Sequence, residues 1–262
     1  MNRKLGKVIT VACHKGGVGK TTFSFNIAGI LAERGFKVVA IDADGQCNLT
    51  QSAVVVNGTK LLGGGLNVWK MVTEANADVK DLIIKGPHFD VIAGFDREDE
   101  DDKALDPIKA NGLFSKAIDD LRLMYDYIII DTPPSTGIMT KLPILASSAV
   151  IMPMQFELYG ISGTRKVLRI VEEFHDIGLR PNKNIWVVPS LTTGNFNLHS
   201  WVEGALEEEG NLKRHIIDID IRRGTAAGQA AAVGVPLIKY AKGSAVTKDF
   251  VKLVDFIETL DI

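Results

Sequence analysis

A chain of 262 residues has length for one domain with a sizeable core, and its formal net charge of −2 gives no global pull toward nucleic acid. Hydrophobic residues at 46% beside 24% charged residues exclude a disordered or fibrous protein. The two cysteines, Cys13 and Cys47, exclude a disulfide framework and point to a reducing, cytoplasmic compartment, and no run approaches the about 20 apolar residues that span a bilayer.

From the N-terminus, Val8 to Cys13 read as a strand buried on both faces. A glycine loop follows, Gly16-Gly17-Val18-Gly19, then Lys20-Thr21-Thr22. Phe23 to Glu33 carries its apolar residues at helical spacing. Strand, glycine loop, Lys-Thr and helix are the layout of a phosphate-binding loop. Glycines let backbone N–H groups turn inward around phosphate oxygens, and the helix N-terminus adds partial positive charge. Lys20 can reach the β- and γ-phosphates, and the Thr21 hydroxyl is placed to ligate Mg²⁺. The usual pattern has a first Gly where this chain has His14, and Lys15 stands inside the loop as a second lysine.

Lys15-Gly16-Gly17-Val18-Gly19-Lys20-Thr21 is the deviant form of the motif, and in it the chain resembles the ParA-type partition ATPases, relatives of MinD, nitrogenase iron protein and arsenical-pump ATPases. The resemblance runs over essentially the whole chain. It implies one α/β P-loop NTPase domain over residues 1–262, with a twisted, mostly parallel sheet and helices on both faces. The loop begins close to residue 1, so no N-terminal helix-turn-helix extension is expected. ATP and Mg²⁺ are the expected ligands.

Lys37 to Asp42 reads as the second strand, ending in Asp42-Ala43-Asp44-Gly45-Gln46-Cys47-Asn48-Leu49-Thr50. Carboxylates at the carboxyl end of a parallel strand point into the crevice where such sheets bind ligands; helix capping by Asp and Asn is the plainer alternative. The resembling family carries D-x-D-P-Q-x-N here. By that resemblance Asp44 orients or deprotonates the attacking water, and Asp42 supports the Mg²⁺ site from behind. Gly45 replaces the usual proline, which leaves the loop less pre-set.

Residues 57–103 say least. Gly63-Gly64-Gly65 reads as a turn, Val68 to Ala75 as a short helix, and Leu82-Ile83-Ile84 and Phe89 to Gly94 as strands. Asp96 to Asp102 reads as a solvated acidic loop. Leu113 to Met124 is an amphipathic helix. Tyr127 to Asp131 is an apolar strand ending in an acid that holds Mg²⁺, often through water. Asp131-Thr132-Pro133-Pro134 matches the family's D-x-P-P, whose following loop senses the γ-phosphate. Ala149 to Pro153 is a strand, Glu157 to Asp176 a long helix, Ile185 to Leu191 a strand and Leu198 to Glu209 a helix. By the resemblance Pro189 and Leu191 are candidates to contact the adenine base; a proline stop at a strand end is the alternative.

The basic candidates come late. Lys213, Arg214 and His215 precede an expected strand at Ile216 to Ile219. Arg222 and Arg223 open an alanine-rich helix from Thr225 to Val233. In the resembling family an arginine near this point contributes to sequence-independent DNA binding, where phosphate contacts need charge without base-edge geometry. The last helix, Ser244 to Leu260, reads as docked on the sheet.

The resemblance implies an ATP-dependent homodimer in which Lys15 reaches the partner's nucleotide, as an arginine finger does. It also implies binding to non-specific double-stranded DNA and stimulation by a ParB-type centromere-binding protein. A MinD-like membrane or cargo-positioning ATPase is the alternative, though the acidic C-terminus argues against anionic lipid. The redox reading fails because no cysteine follows Cys47. A metabolic ligase or kinase on the same fold stays open by spacing, and D-x-D-x-Q leans against it.

Overall fold

The computed structural model describes residues 5–56, 59–60, 65–96, 105–156, 158–179, 184–193 and 210–262. The expected helix over 198–209, the glycine turn at 63–64 and most of the acidic run lie outside them. Strand β1 (Lys7–Val11) leads through the glycine loop into α1 (Lys20–Glu33), and then β2 (Val38–Asp42) and α2 (Asn48–Ala53) follow. After the two-residue strands β3 (Val55–Val56) and β4 (Thr59–Lys60), α3 (Lys70–Thr73) precedes β5 (Ile83–Ile84) and β6 (Asp90–Ile92). The second half runs α4 (Pro107–Arg122), β7 (Tyr127–Asp131), α5 (Ile138–Ala146), β8 (Ala149–Met154), α6 (Leu158–Asp176) and β9 (Ile185–Thr192). Then come α7 (Gly210–Lys213), β10 (Ile221–Arg222), α8 (Thr225–Ala232), α9 (Leu237–Tyr240) and α10 (Ala245–Thr259).

The main sheet has eight strands in the order β10-β9-β8-β1-β7-β2-β6-β5. Every neighbouring pair is parallel except the antiparallel β5–β6 edge. Strand β1 sits at the centre, flanked by β7 and β8, so the loop that leaves it opens at the carboxyl ends of the inner strands.

Alternate residues of each inner strand enter different cores, which is why these strands read as continuous apolar runs. Ile9, Val11, Ala40 and Ile129 pack with Phe23, Ile27 and Ile30 of α1 and Phe250, Leu253 and Ile257 of α10. Val8, Ile41, Ile128 and Ile130 pack with Phe114, Ile118 and Leu121 of α4 on the other face. Val150, Met152 and Val187 pack with Val167, Ile170 and Val171 of α6. The Phe23 and Phe250 rings meet edge to face, 5.2 Å apart. The apolar face of the last helix is therefore consumed inside the protein, as its 3.6-residue pattern implied.

One expectation and one alternative reading need correction. Ile216 to Ile219 does not form a strand: Ile216 makes one bridge to Val187, and the edge strand is Ile221–Arg222. Polar Asp218 interrupts the run, and the paired residues of the edge strand begin at Ile221, opposite Ser190. Pro189 does not end its strand, which continues to Thr192. The β10 partner is first met at Ser190, so the missing N–H of Pro189 falls outside that ladder. Helix α5 lies in a stretch to which the sequence analysis assigns no element, and it carries Pro143 inside it. The Pro143 carbonyl instead accepts from Thr10 Oγ1 at 3.2 Å and Ser147 Oγ at 2.6 Å, tying the helix to β1.

Helix α1 carries Gly29 where it meets the turn before α9. A Cβ there would lie 2.4 Å from Pro236 Cβ and 2.5 Å from its Cγ. Gly29→Ala is expected to lower stability by about 1–3 kcal/mol through overpacking, despite the better helix propensity of alanine. The urea midpoint measures this; an unchanged or raised midpoint would show that the two segments part freely.

Candidate functional site

The loop between β1 and α1 turns on two glycines in the left-handed region, Gly17 at φ 75° and Gly19 at φ 94°. Gly19 is the N-cap of α1, and no side chain caps the helix. The first-turn amides of a 14-residue helix are thus left without a side-chain acceptor at the loop, the arrangement an anion would complete. Gly16 and Thr22 flank this turn, while Val18 is buried at 1% exposure and anchors the loop from below. The Lys20 ammonium is largely buried and donates to the Lys15 carbonyl at 3.2 Å. The Lys15 ammonium donates to Gln155 Oε1 at 3.0 Å.

Thr21 Oγ1 donates to Asp131 Oδ2 at 2.7 Å, and Ser24 Oγ donates to Asp131 Oδ1 at 2.9 Å. Asp131 and Asp42 occupy matched positions on β7 and β2, both with no exposure to solvent. Asp42 Oδ2 accepts from the Thr50 amide and hydroxyl, each at 2.7 Å, and Oδ1 accepts from the Asp44 amide at 3.2 Å. Burial pushes the Asp42 carboxyl up to about 6 and Asp131 up to about 7, the latter helped by the neighbouring Asp42 charge. Asp44 is nearly buried, and its Oδ1 accepts from the Gln46 amide at 3.0 Å. The structure therefore gathers Lys15, Lys20, Thr21, Asp42, Asp44 and Asp131 at one end of the sheet.

The donor set suits a small hard cation shared with a phosphate. Thr21 and Asp131 supply oxygen from two elements, and a positive charge would relieve the buried acid pair. Among the described residues no group of three or more His, Cys, Asp or Glu forms a closed metal site. A magnesium ion held by one or two carboxylates and its substrate's phosphates needs none.

Four residues complete this arrangement without having been singled out from sequence. Ser24 lies one helical turn beyond Thr21, a spacing that could have signalled a shared partner. Thr50 closes the quoted acidic stretch, and its hydroxyl also accepts from the Gly94 amide at 2.8 Å. A Cβ on Gly94 would come within 2.9 Å of Cys47 Sγ and 3.1 Å of Asp42 Cγ, so only glycine fits there without movement. Gln155 is 140 residues from Lys15, and nothing local marks it.

Pro189 and Leu191 stand at the carboxyl end of β9, and Leu191 has φ 55° where the register to β10 shifts. A non-glycine residue in that region marks local strain. Arg222 and Arg223 lie apart from the acid pair, at the sheet edge. Arg222 grips buried Asp249 of α10 with Nε to Oδ2 at 2.6 Å and Nη2 to Oδ1 at 2.9 Å. Arg223 is exposed, as are Lys242, Lys248 and Lys252.

A central parallel sheet, a glycine loop that adds a second lysine, and an acid pair behind the Lys-Thr step define a P-loop ATPase of the deviant-loop class. The chain belongs to the AAA_31 family, an AAA domain, which it matches over residues 6–185, and it is a ParA-type member of that class. It is 28% identical to the sporulation initiation inhibitor protein Soj of Bacillus subtilis, over 95% of this chain and 98% of that protein. It is 27% identical to the chromosome partitioning protein ParA of Caulobacter vibrioides, over 94% of this chain and 92% of that one. Among solved structures, a McdA–ATP complex from Cyanothece shares the fold, with TM-score 0.80 at 20% identity over 99% of both chains. No described helix is long and apolar enough to cross a membrane.

The acid pair makes stability depend on pH. Both carboxyls bind protons more tightly folded than unfolded, since the unfolded value is near 4. Stability of the nucleotide-free protein should fall as pH rises through about 6 and about 7, and level off above. Asp131→Asn should flatten most of that fall. Melting temperatures from pH 5 to 8.5 check this, and a wild-type curve that rises across the window would overturn it.

Proposed function

We propose that this protein is an ATP-dependent switch that segregates DNA, with the site residues in the roles their positions suggest. The observation that carries the reading is the pair of lysines on one phosphate loop, in a chain related to a chromosome partitioning ParA. Backbone amides of Gly16, Gly17, Val18, Gly19, Lys20, Thr21 and Thr22 cradle the phosphates, and the Lys20 charge faces the β- and γ-phosphates. Thr21 and Asp131, with Asp42 behind, would hold Mg²⁺, which neutralises charge on phosphate oxygens when bound. Asp44 orients or deprotonates the attacking water. Pro189 and Leu191 contact the adenine base.

Two protomers pair across two ATP molecules, and Lys15 of each offsets charge that develops on the partner's γ-phosphate. Pairing also joins two weak DNA patches, so their phosphate contacts combine. Arg223 is the better placed of the two arginines to meet a phosphate, since the charge of Arg222 is matched by Asp249. A ParB-type centromere-binding protein would stimulate hydrolysis and release the DNA. The reading places the protein in the cytoplasm, on the nucleoid. A membrane-positioning role is less well supported, because the apolar face of the last helix is already buried.

Binding to a non-specific DNA duplex should require ATP, fail with ADP, and weaken steeply between about 50 and 200 mM salt. Arg223→Ala should lower affinity for all sequences alike and reduce the salt slope by about one contact. Asp44→Ala should keep ATP-dependent DNA binding while hydrolysis drops by about a hundredfold or more. DNA binding indifferent to nucleotide, or none in any state, would sink the switch.

A further inference from the structure

Strand β9 ends in a conformation that its own residues do not favour. Leu191 takes φ 55°, a left-handed backbone that costs a non-glycine residue free energy. Ser190 beside it is buried, and its hydroxyl meets no hydrogen-bond partner among the described residues. Such a shape persists only where neighbouring groups hold it. Here they come from β10 and the residues that flank it. Ile221 pairs with Ser190 and Arg222 with Thr192, so the two pairs straddle Leu191. The Arg223 amide donates to the Thr192 carbonyl at 2.9 Å, and Thr192 Oγ1 donates to Asp220 Oδ2. A strand of two residues is itself weakly held, and its anchor is α10. The Arg222 amide, Nε and Nη2 donate to the Asp249 carboxylate at 3.3, 2.6 and 2.9 Å. Asp249 is buried next to Phe250 of the core. A Cβ on Gly224 would lie 3.0 Å from Val246 Cγ1, so the chain beyond β10 is pressed on the same helix.

We propose that Arg222 and Asp249 form a clasp that holds the end of β9 in shape, which makes Arg222 a positioning residue for the base end of the nucleotide site. This rests on the reading above, in which Leu191 contacts adenine. In the order β9-β8-β1 the strained end lies two strand spacings, about 10 Å, from the strand that carries the phosphate loop. The clasp therefore acts on the base end of a nucleotide and not on its phosphates. A guanidinium fork suits the task. It meets both carboxylate oxygens at once and so fixes the angle at which β10 leaves α10. A lysine would keep the charge beside buried Asp249 but act as a point charge without that geometry. With the clasp loosened, Leu191 relaxes toward negative φ, and the surface it offers to the base changes.

The test compares wild type, Arg222→Lys and Asp249→Asn by calorimetric titration with ADP and with pyrophosphate, beside the melting temperature of each. ADP lacks the γ-phosphate, so pairing of protomers does not enter. Both variants should bind ADP roughly three- to tenfold more weakly and bind pyrophosphate as wild type does. A general loosening of the protein would weaken both ligands alike, and that result overturns the proposal. Glycine takes positive φ without strain, so in a Leu191→Gly background Arg222→Lys should leave ADP affinity where Leu191→Gly alone puts it. If Leu191→Gly weakens ADP relative to pyrophosphate while the two clasp variants match wild type, the clasp is wrong and the base reading stands. If Leu191→Gly leaves ADP affinity unchanged, the base reading falls and the clasp's role with it.

Discussion

Asp42 and Asp131 stand side by side on neighbouring strands with no contact with water, and the site is built around what makes that tolerable. A buried carboxylate pair is costly unless hydrogen bonds and opposite charge compensate it. The compensation comes from three separate places: the start of α1 through Thr21 and Ser24, the loop after β2 through the Asp44 amide, and helix α2 through Thr50, whose hydroxyl also receives the amide of Gly94. Each donor fixes the segment that carries it. The loop that would cradle phosphate and the loop that would aim water are thereby referenced to one point, and their charge balance is left incomplete in a way a cation would finish.

Support for that point comes from the far side of α1. The Asn26 side chain receives the Leu237 amide at 2.9 Å and donates to the Thr22 carbonyl at 2.8 Å. Gly29 lets Pro236 close against the helix, and Phe23 meets Phe250 of α10. The same α10 holds Arg222 through Asp249. Nucleotide-site helix and basic edge are therefore joined by packed, hydrogen-bonded contacts rather than by a linker. That places Arg222 in a bracing role that its sequence neighbourhood does not suggest.

The parts of the site legible in sequence were those whose chemistry is local. Gly17 and Gly19 announce a backbone that needs positive φ, and Lys20-Thr21 follows in the one frame that puts both at a helix start. Asp131 is readable because an apolar strand ends in it. Contacts made by folding were not readable. Nothing near Pro143 says that its carbonyl will be taken by Thr10. The run from Ile216 to Ile219 carries strand propensity, but it meets β9 through a single bridge at Val187, and the paired edge strand begins only where Ile221 meets Ser190.

Sequence alone determined the class of chemistry: a glycine loop with two lysines, acids at two strand ends, and inner strands apolar enough to be buried on both faces. These follow from side-chain type, backbone freedom and short-range periodicity, which the chain carries with it before it folds. Tertiary structure decided which groups meet. The order β8-β1-β7-β2 brings Asp42 beside Asp131 and Lys15 to Gln155, and the docking of α10 sets buried Asp249 against the half-exposed Arg222 side chain. Those pairings depend on strand order and register, which are set by the burial of the whole sheet, and no local pattern encodes them.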